Sequence, residues 1–164
     1  MKYLLLLIFL SCSSFAIENN LQISGTLVNH PCKVVFDEND TIYIDLGDNI
    51  LDYVLSKPGS ASPWIDFDIF FSDCPANSYH IIVTFHGTTD SSNKYYVNTG
   101  TAQNVGIELD RRNVGWQFPD GQSAWVDIIN GEGDLDLAAR LFSVKGGATP
   151  GTINSTVTVS IEYF

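Results

Sequence analysis

Positively charged residues are scarce in this chain of 164 residues, which has eight Lys and Arg against nineteen Asp and Glu and a formal net charge of −11. This charge argues against nucleic acid or an anionic membrane surface as the main partner. Charged residues make up only 16% of the chain and hydrophobic residues 45%, so it can bury a core and lacks the composition of a disordered protein. The single Met and the 12% of aromatic residues favour β-structure over a helical bundle.

Catalytic motifs are also missing. The sequence contains no G-x-S-x-G, no H-E-x-x-H and no GK[ST] loop. His80 and His86 are six residues apart and would share one strand face, where we interpret them as surface histidines. Asp134 and Asp136 are interpreted as a solvated strand face, and residues 110–112 as a surface turn. We therefore expect no enzyme activity, no cofactor and no metal site.

No apolar run is long enough to cross a membrane as a helix, and the run from Tyr3 to Leu10 is too short. It follows the positive Lys2 and precedes Ser14-Phe15-Ala16, which fits the small-x-small rule of signal peptidase. We predict that residues 1–16 are a secretory signal peptide that is cleaved. Loss of Lys2 takes the formal charge from −11 to −12. The alternative is a lipoprotein signal in which Cys12 is lipidated.

Two cysteines, Cys32 and Cys74, remain after the predicted cleavage. An even pair in an exported chain predicts one disulfide bond. The loop it closes corresponds to about 4 kcal/mol in the chain-entropy model. A metal or redox pair is the alternative, but there is no C-x-x-C motif, and His30 is the only His near either cysteine.

Apolar and polar residues alternate in seven segments of the mature chain, which is typical of half-buried strands. The segments cover residues 42–46, 65–71, 79–85, 105–109, 124–129, 135–144 and 152–163. A short helix is possible over 49–55. Turn-forming clusters separate the segments, and no internal repeat is present. The spacing predicts a single all-β domain, an antiparallel sandwich of immunoglobulin-like type.

An eighth alternating segment stands at the start of the mature chain. Leu21, Ile23, Gly25 and Leu27 alternate there with polar residues, just before Cys32. Both ends of the mature chain therefore carry a β-type segment. Taken alone, the first would be interpreted as an ordinary or frayed terminal strand.

Several motifs, in order along the chain, carry a resemblance to a known family. Gly151 is the fourteenth residue from the C-terminus and Tyr163 is the penultimate one. The other motifs are Val28-Asn29-His30-Pro31-Cys32, Leu46-Gly47-Asp48, Ser62-Pro63-Trp64 leading to Asp73-Cys74-Pro75, the segment Tyr95 to Leu109, and Gly146 to Gly151. With the signal peptide and the cysteine pair, the mature chain resembles pilins of the chaperone–usher class, similar to the minor tip subunits of type 1 fimbriae.

The resemblance implies an incomplete immunoglobulin-like β-sandwich that lacks its final strand, with an N-terminal donor-strand arm. The arm would be residues 17–29 and the pilin domain residues 30–164. The missing strand would leave a groove beside the last strand, and the resemblance implies that five residues contribute to this chaperone and acceptor groove: Gly151, Val157, Val159, Ile161 and Tyr163.

The resemblance also implies partners. A periplasmic pilus chaperone would lend a strand to the groove, an outer-membrane usher would assemble the subunits, and a neighbouring pilin or adhesin subunit would receive the arm. In the arm, Leu21, Ile23 and Leu27 would enter pockets of that neighbour, and Gly25 would lie where the pocket is shallow. Asn19 departs from the pattern, since it is polar at a position in phase with these residues.

We therefore expect the protein to be a structural subunit that is exported through the periplasm to the cell-surface fimbrium. There it would serve as a minor tip adaptor in cell adhesion. The first alternative is a minor pilin that itself binds a carbohydrate or protein, through Trp64, Trp116 or Trp125. The second alternative is a periplasmic enzyme or lipoprotein with an immunoglobulin-like fold. The segment 111–122, which contains Trp116 and Phe118, departs from the family pattern and has no assigned role.

Overall fold

The computed structural model describes residues 31–34, 41–48, 50–76 and 78–164. The predicted signal peptide and donor arm lie outside these described residues. No helix in the described part of the chain is long and apolar enough to span a membrane.

Ten strands and one short helix make up the described chain. The strands are β1 (Lys33–Val34), β2 (Ser60–Ala61), β3 (Ile65–Ser72), β4 (His80–His86), β5 (Tyr96–Val97), β6 (Gly106–Arg111), β7 (Trp116–Gln117), β8 (Ser123–Asp127), β9 (Gly133–Ser143) and β10 (Thr158–Tyr163). A 3-10 helix covers Asp52–Leu55, within the range in which a short helix was considered.

The strands form two sheets, and every pair of strands is antiparallel. The large sheet has the order β1-β3-β9-β6-β5, with β2 paired to β9 and β7 paired to β6. The small sheet has the order β10-β4-β8. Side chains from both sheets meet in one core. The predicted all-β sandwich of immunoglobulin-like type is thereby confirmed.

Alternation along the longer strands places one face in the core. On β4, Ile81, Val83 and Phe85 are 0%, 0% and 2% exposed. On β9 of the opposite sheet, Leu135 and Leu137 are fully buried. Burying one such side chain contributes about 1.5–3 kcal/mol, so this face is what holds the two sheets together.

The prediction of a strand over residues 42–46 is wrong. Residues 41–47 contain no regular strand, although their burial does alternate, with Ile42 and Leu46 packed against the core and Tyr43 exposed. The segment ends in a turn in which the Gly47 backbone N–H donates to Asp45 Oδ1 at 2.8 Å. The pattern correctly identified Ile42 and Leu46 as residues that face the core. Inward-facing residues do not require a regular hydrogen-bonded ladder.

The last predicted strand is shorter than expected, since β10 begins at Thr158 rather than at residue 152. Hydrogen bonds hold the preceding residues on the 98–102 loop instead. The Ala102 N–H donates to the Thr152 carbonyl at 3.2 Å, and the Thr99 N–H donates to the Asn154 carbonyl at 2.7 Å. These contacts compete with strand pairing, which the local sequence pattern cannot reveal.

The predicted disulfide bond joins Cys32 to Cys74, with the two Cα atoms 4.1 Å apart. It fastens the start of the described chain to the end of β3, beside the pairing of Lys33 with Ser72. Lys33 Nζ lies 2.5 Å from Asp73 Oδ2 in the same place. This corner is where the first described segment of the chain begins.

Candidate subunit interface

The last strand, β10, lies at the edge of the small sheet. Six residues of β10 pair with β4, from Thr158 opposite His86 to Tyr163 opposite Ile81. Among the residues that the structure describes, no strand pairs with the other edge of β10. An open edge presents unpaired backbone N–H and C=O groups, which another chain can use for strand pairing.

The inward face of β10 is incompletely covered. Val159 and Ile161 point toward the core and are only half-buried. Their cross-strand partners on β4, Phe85 and Val83, are almost completely buried on the same face of the same sheet. β4 has a neighbouring strand on both sides, whereas β10 has one on one side only among the described residues. The remaining exposure of Val159 and Ile161 therefore reflects the lack of a neighbouring strand along the outer edge of β10.

Tyr163 completes this row of side chains. It lies opposite the fully buried Ile81, is itself half-buried, and packs against the core. Burial raises the pKa of the Tyr163 phenol. Val157 precedes the strand and is half-buried in the same phase. The structure therefore brings Val157, Val159, Ile161 and Tyr163 together, and their role as a groove stays a prediction.

The C-terminal end of β10 is fastened to β4. The Phe164 N–H donates to the His80 carbonyl at 3.1 Å, and the Tyr79 N–H donates to the Phe164 carbonyl at 2.9 Å. The His80 ring stacks against Phe164 at 5.6 Å and against Trp125 at 4.9 Å between ring centroids. These contacts hold the edge strand in one register and so give the open edge a fixed geometry.

Gly151 lies outside β10 and has a packing role. A Cβ atom on it would come within 2.4 Å of the Ala102 backbone N and 2.7 Å of Thr101 Oγ1. Only glycine therefore lets the chain approach the 101–102 loop before it enters β10. The structure assigns Gly151 to the approach that positions the edge strand, and its contribution to the groove itself stays a prediction.

The three tryptophans considered for ligand binding do not form one cluster. Trp64 precedes β3 in the large sheet, and the Arg140 guanidinium lies 4.1 Å from its ring centroid. Trp125 belongs to β8 of the small sheet, and Trp116 to β7. Trp116 and Trp125 are well exposed, whereas Trp64 is at the margin of exposure.

Of residues 110–112, which the sequence suggested as a surface turn, Asp110 and Arg111 belong to β6 and only Arg112 lies in the turn to β7. Asp110 lies within β6 and is only 6% exposed, and its Oδ1 atom has no hydrogen-bond partner. Burial, and secondarily the neighbouring Glu108, raises the pKa of the Asp110 carboxyl. Glu108 is equally buried, pairs with Arg140 Nε at 2.6 Å and accepts from the Gln117 amide.

The acidic pair on β9 lies on a solvent-accessible strand face, as the sequence suggested, and Asp136 also forms an ion pair there. Asp134 and Asp136 share a face with Asp68, and one carboxylate oxygen of each lies within 4.8 Å of the others. Arg112 supplies the positive charge, at 2.6 Å from Asp68 and 3.2 Å from Asp136. Burial, together with Asp68 and Asp136, raises the pKa of the Asp134 carboxyl.

The segment 111–122 forms a hairpin and a core contact. Arg111 pairs with Trp116 across the β6–β7 turn. Phe118 then turns inward, where its ring packs 4.9 Å from that of Phe85 and its carbonyl accepts from the Tyr96 hydroxyl at 2.8 Å. This segment therefore closes one end of the core and leaves Trp116 outside it.

The described residues form two sheets, and none of their strands pairs with the outer edge of the last strand. This architecture is that of an immunoglobulin-like sandwich of pilin type. Residues 21–164 match the family described as fimbrial protein, so the chain belongs to this family and is a pilin of the chaperone–usher class. It is 31% identical over 150 residues to Protein FimG of Escherichia coli strain K12, covering 90% of this chain and 86% of that protein. It is also 31% identical over 158 residues to the S-fimbrial adhesin protein SfaS of E. coli strain 536, covering 94% and 92%.

Solved structures agree on the fold. The P pilus rod subunit PapA superposes with a TM-score of 0.66 at 20% identity, covering 82% of this chain and all of that chain. The P pilus adaptor subunit PapF superposes with a TM-score of 0.51 at 17% identity, covering 82% and 96%. At these identities the likeness concerns the fold alone.

Proposed function

We propose that this pilin is a structural subunit of an adhesive fimbria, that it polymerises by donor-strand exchange, and that it serves as a minor tip adaptor. The observation that carries the proposal is the half-burial of Val159, Ile161 and Tyr163 on an open sheet edge. An added strand would pair with the backbone of β10 and cover these side chains.

The donor of the added strand would be the arm of a neighbouring subunit. In this chain, Leu21, Ile23 and Leu27 would fill pockets beside β10 of the acceptor, and Gly25 would allow a close backbone approach. Three such side chains contribute roughly 5–9 kcal/mol of gross burial energy, before the cost of ordering the arm. Because the donor and the acceptor edge are different parts of one subunit, the contact is heterologous and generates an open filament.

A strand edge of this kind is a hazard before assembly, since it favours aggregation. A periplasmic chaperone that supplies a temporary strand would remove the hazard, and an outer-membrane usher would exchange that strand for the arm of the next subunit. This route would take the protein through the periplasm to the cell-surface fimbrium. Support for the tip position comes from the resemblance to minor tip subunits in the order of the motifs.

The test of donor-strand exchange uses two variants of the arm that carry the same charge. Ile23→Asp places a carboxylate in phase with the inward residues, while Ser24→Asp places it out of phase. We expect Ile23→Asp to abolish incorporation into fimbriae and Ser24→Asp to retain most of it, with both proteins folding normally. Equal assembly of the two variants would refute the assignment of the donor strand.

A second candidate function is ligand binding by the subunit itself. It is favoured by the relative named as an S-fimbrial adhesin and by the partly exposed Trp64 stacked on Arg140. A Trp64→Ala variant that assembles normally but loses binding to an immobilised glycan panel would support it. Absence of glycan binding by the wild-type fimbriae would contradict it.

A further inference from the structure

The small sheet has two edges, one on β10 and the other on β8. β8 pairs with β4 over its five residues, Ser123–Asp127, and no strand among the described residues pairs with its outer edge. A strand edge without a neighbour can accept another strand. The proposed function requires an added strand to join β10, so strands must be kept away from β8.

The hydrogen bonds between β4 and β8 show which backbone groups of β8 point outward. Beyond one end of the pairing the Ile128 N–H donates to the Tyr79 carbonyl at 2.9 Å, and at the other end the Phe85 N–H donates to the Gln122 carbonyl at 2.9 Å. Residues that bond to a given neighbour alternate along an antiparallel strand. The even-numbered residues of β8 therefore bond to β4, and the backbone groups of three residues point to the outer edge: Ser123, Trp125 and Asp127.

A side chain from the large sheet occupies the middle of this outer edge. Arg111 Nη1 donates to the Trp125 carbonyl at 3.3 Å. Arg111 is the last residue of β6 and shares a strand face with the buried Leu109. Its side chain therefore extends from the inward face of the large sheet to the edge of the small sheet.

The charge of Arg111 is not neutralised by the described part of the chain. The neighbouring Arg112 pairs with Asp68 at 2.6 Å, whereas Arg111 forms no ion pair with any described residue. A strand that paired with β8 would have to break the bond to the Trp125 carbonyl and cover this guanidinium. Burial of an unpaired charge is costly, and charged side chains at sheet edges are a known protection against strand addition.

The two edges of the small sheet also differ in what an added strand would bury. On β8 the inward residues Ala124 and Val126 are 3% and 2% exposed. On β10 the inward residues Val159 and Ile161 are half-buried. Pairing at β10 therefore gains both hydrogen bonds and apolar burial, whereas pairing at β8 gains backbone hydrogen bonds but no burial of inward side chains. A side chain that blocks those hydrogen bonds removes the gain that is left.

We propose that Arg111 closes the β8 edge and so directs strand addition to β10. This inference rests on the proposed function and names the residue that determines which edge accepts a strand. It also gives a role to the segment 111–122, whose hairpin holds Arg111 beside β8. The strand that Arg111 excludes is β8 of a second copy, because two such edges can pair antiparallel with each other around Trp125.

The test removes the charge of Arg111 while the β10 edge is occupied. The mature chain is saturated with a fluorescent peptide of residues 17–29, so that β10 is covered and filament growth is blocked. Arg111→Ala and Arg111→Met remove the charge and the donor, and the second keeps most of the side-chain length. Arg111→Lys keeps the charge. The control Lys145→Ala removes one positive charge at an exposed position after β9.

Sedimentation velocity measures self-association, and amide hydrogen exchange locates the contact. We expect the wild type, Arg111→Lys and Lys145→Ala to stay monomeric with one bound peptide. Arg111→Ala and Arg111→Met should self-associate at least tenfold more tightly than the wild type. In these two variants the amide hydrogens of Ser123, Trp125 and Asp127 should exchange at least tenfold more slowly, because they become bonded to a partner strand.

Each other outcome overturns a defined part. If both uncharged variants stay monomeric, or if both unfold, Arg111 is not the residue that closes the edge, while the donor-strand proposal stands. The role of Arg111 is also overturned if they self-associate without slower exchange at β8, or if Arg111→Lys or Lys145→Ala self-associates as much. If the wild type takes up no peptide, acceptance of an arm of this sequence fails instead, and the same comparison without peptide decides the role of Arg111.

Discussion

Gly151 provides a sharp test of how the edge strand is positioned. In Gly151→Ala, the new Cβ would lie 2.4 Å from the Ala102 N and 2.8 Å from the Ala102 Cα. Backbone atoms cannot move aside locally, so residues 149–154 must separate from the 98–104 loop. Three hydrogen bonds between Thr152 and residues 101–102 would be lost. At about 1 kcal/mol each, we expect a loss of about 3 kcal/mol in the free energy of unfolding.

The assay is urea unfolding of the mature chain with saturating peptide of residues 17–29, followed by tryptophan fluorescence. The matched control is Gly121→Ala, where the φ of 78° is left-handed but nothing lies within 4 Å of the new Cβ. This control costs only backbone strain, about 1–2 kcal/mol. We also expect Gly151→Ala, and not the control, to reduce peptide affinity. Equal destabilisation of the two variants would refute the close-approach argument.

Three further predictions concern the body of the sandwich. Replacing both Cys32 and Cys74 by Ser should lower the unfolding free energy by about 4 kcal/mol, measured by urea unfolding under oxidising conditions, and an unchanged midpoint would contradict this. Tyr96→Phe should cost about 1–2 kcal/mol because it leaves the buried Phe118 carbonyl without its donor; a cost no larger than that of Tyr95→Phe would count against this. Asp110→Asn should raise the unfolding midpoint at pH 7, because the raised pKa means that folding penalises the ionised carboxylate; the gain should disappear as the pH falls below the ordinary aspartate range, near about 3.9. A constant gain at all pH values would show that the charge of Asp110 is not the cause.

The sequence predicted those strands in which apolar and polar residues alternate. The longer strands β3, β4 and β9 were found within two residues of their ends, because each has a core face of Ile, Leu, Val or Phe at every second position. The two-residue strands β1, β2, β5 and β7 were not found individually. They exist because of pairing with distant residues, and two residues contain no measurable period.

Alternation also could not distinguish an edge strand from a central one. The inward residues of β10 and of β4 follow the same pattern, yet only those of β10 are left half-buried. The pattern reports which face a side chain takes, while its exposure depends on the neighbouring strand. The resemblance to pilins supplied the expectation of an open edge.

The burial of polar groups could not be predicted from the sequence, for a related reason. Asp110 was assigned, with Arg111 and Arg112, to a surface turn. Its burial follows from long-range contacts, since β6 lies between β9 and β7 and Glu108 nearby is paired with Arg140. The burial of Phe118 was likewise not predicted, because Phe118 belongs to a turn-rich segment. In the structure it reaches the core next to Phe85.

The sandwich is proposed to lack a strand beside β10 and to accept one from another subunit. The most direct measurement compares the melting temperature of residues 17–164 with that of the same chain carrying an extra copy of a donor strand, joined by a flexible linker after Phe164. We predict that the extended chain has a much higher melting temperature and that the half-buried Val159, Ile161 and Tyr163 become buried by the added strand. Identical melting of two stable monomers would show that the sandwich is already complete and would contradict the account.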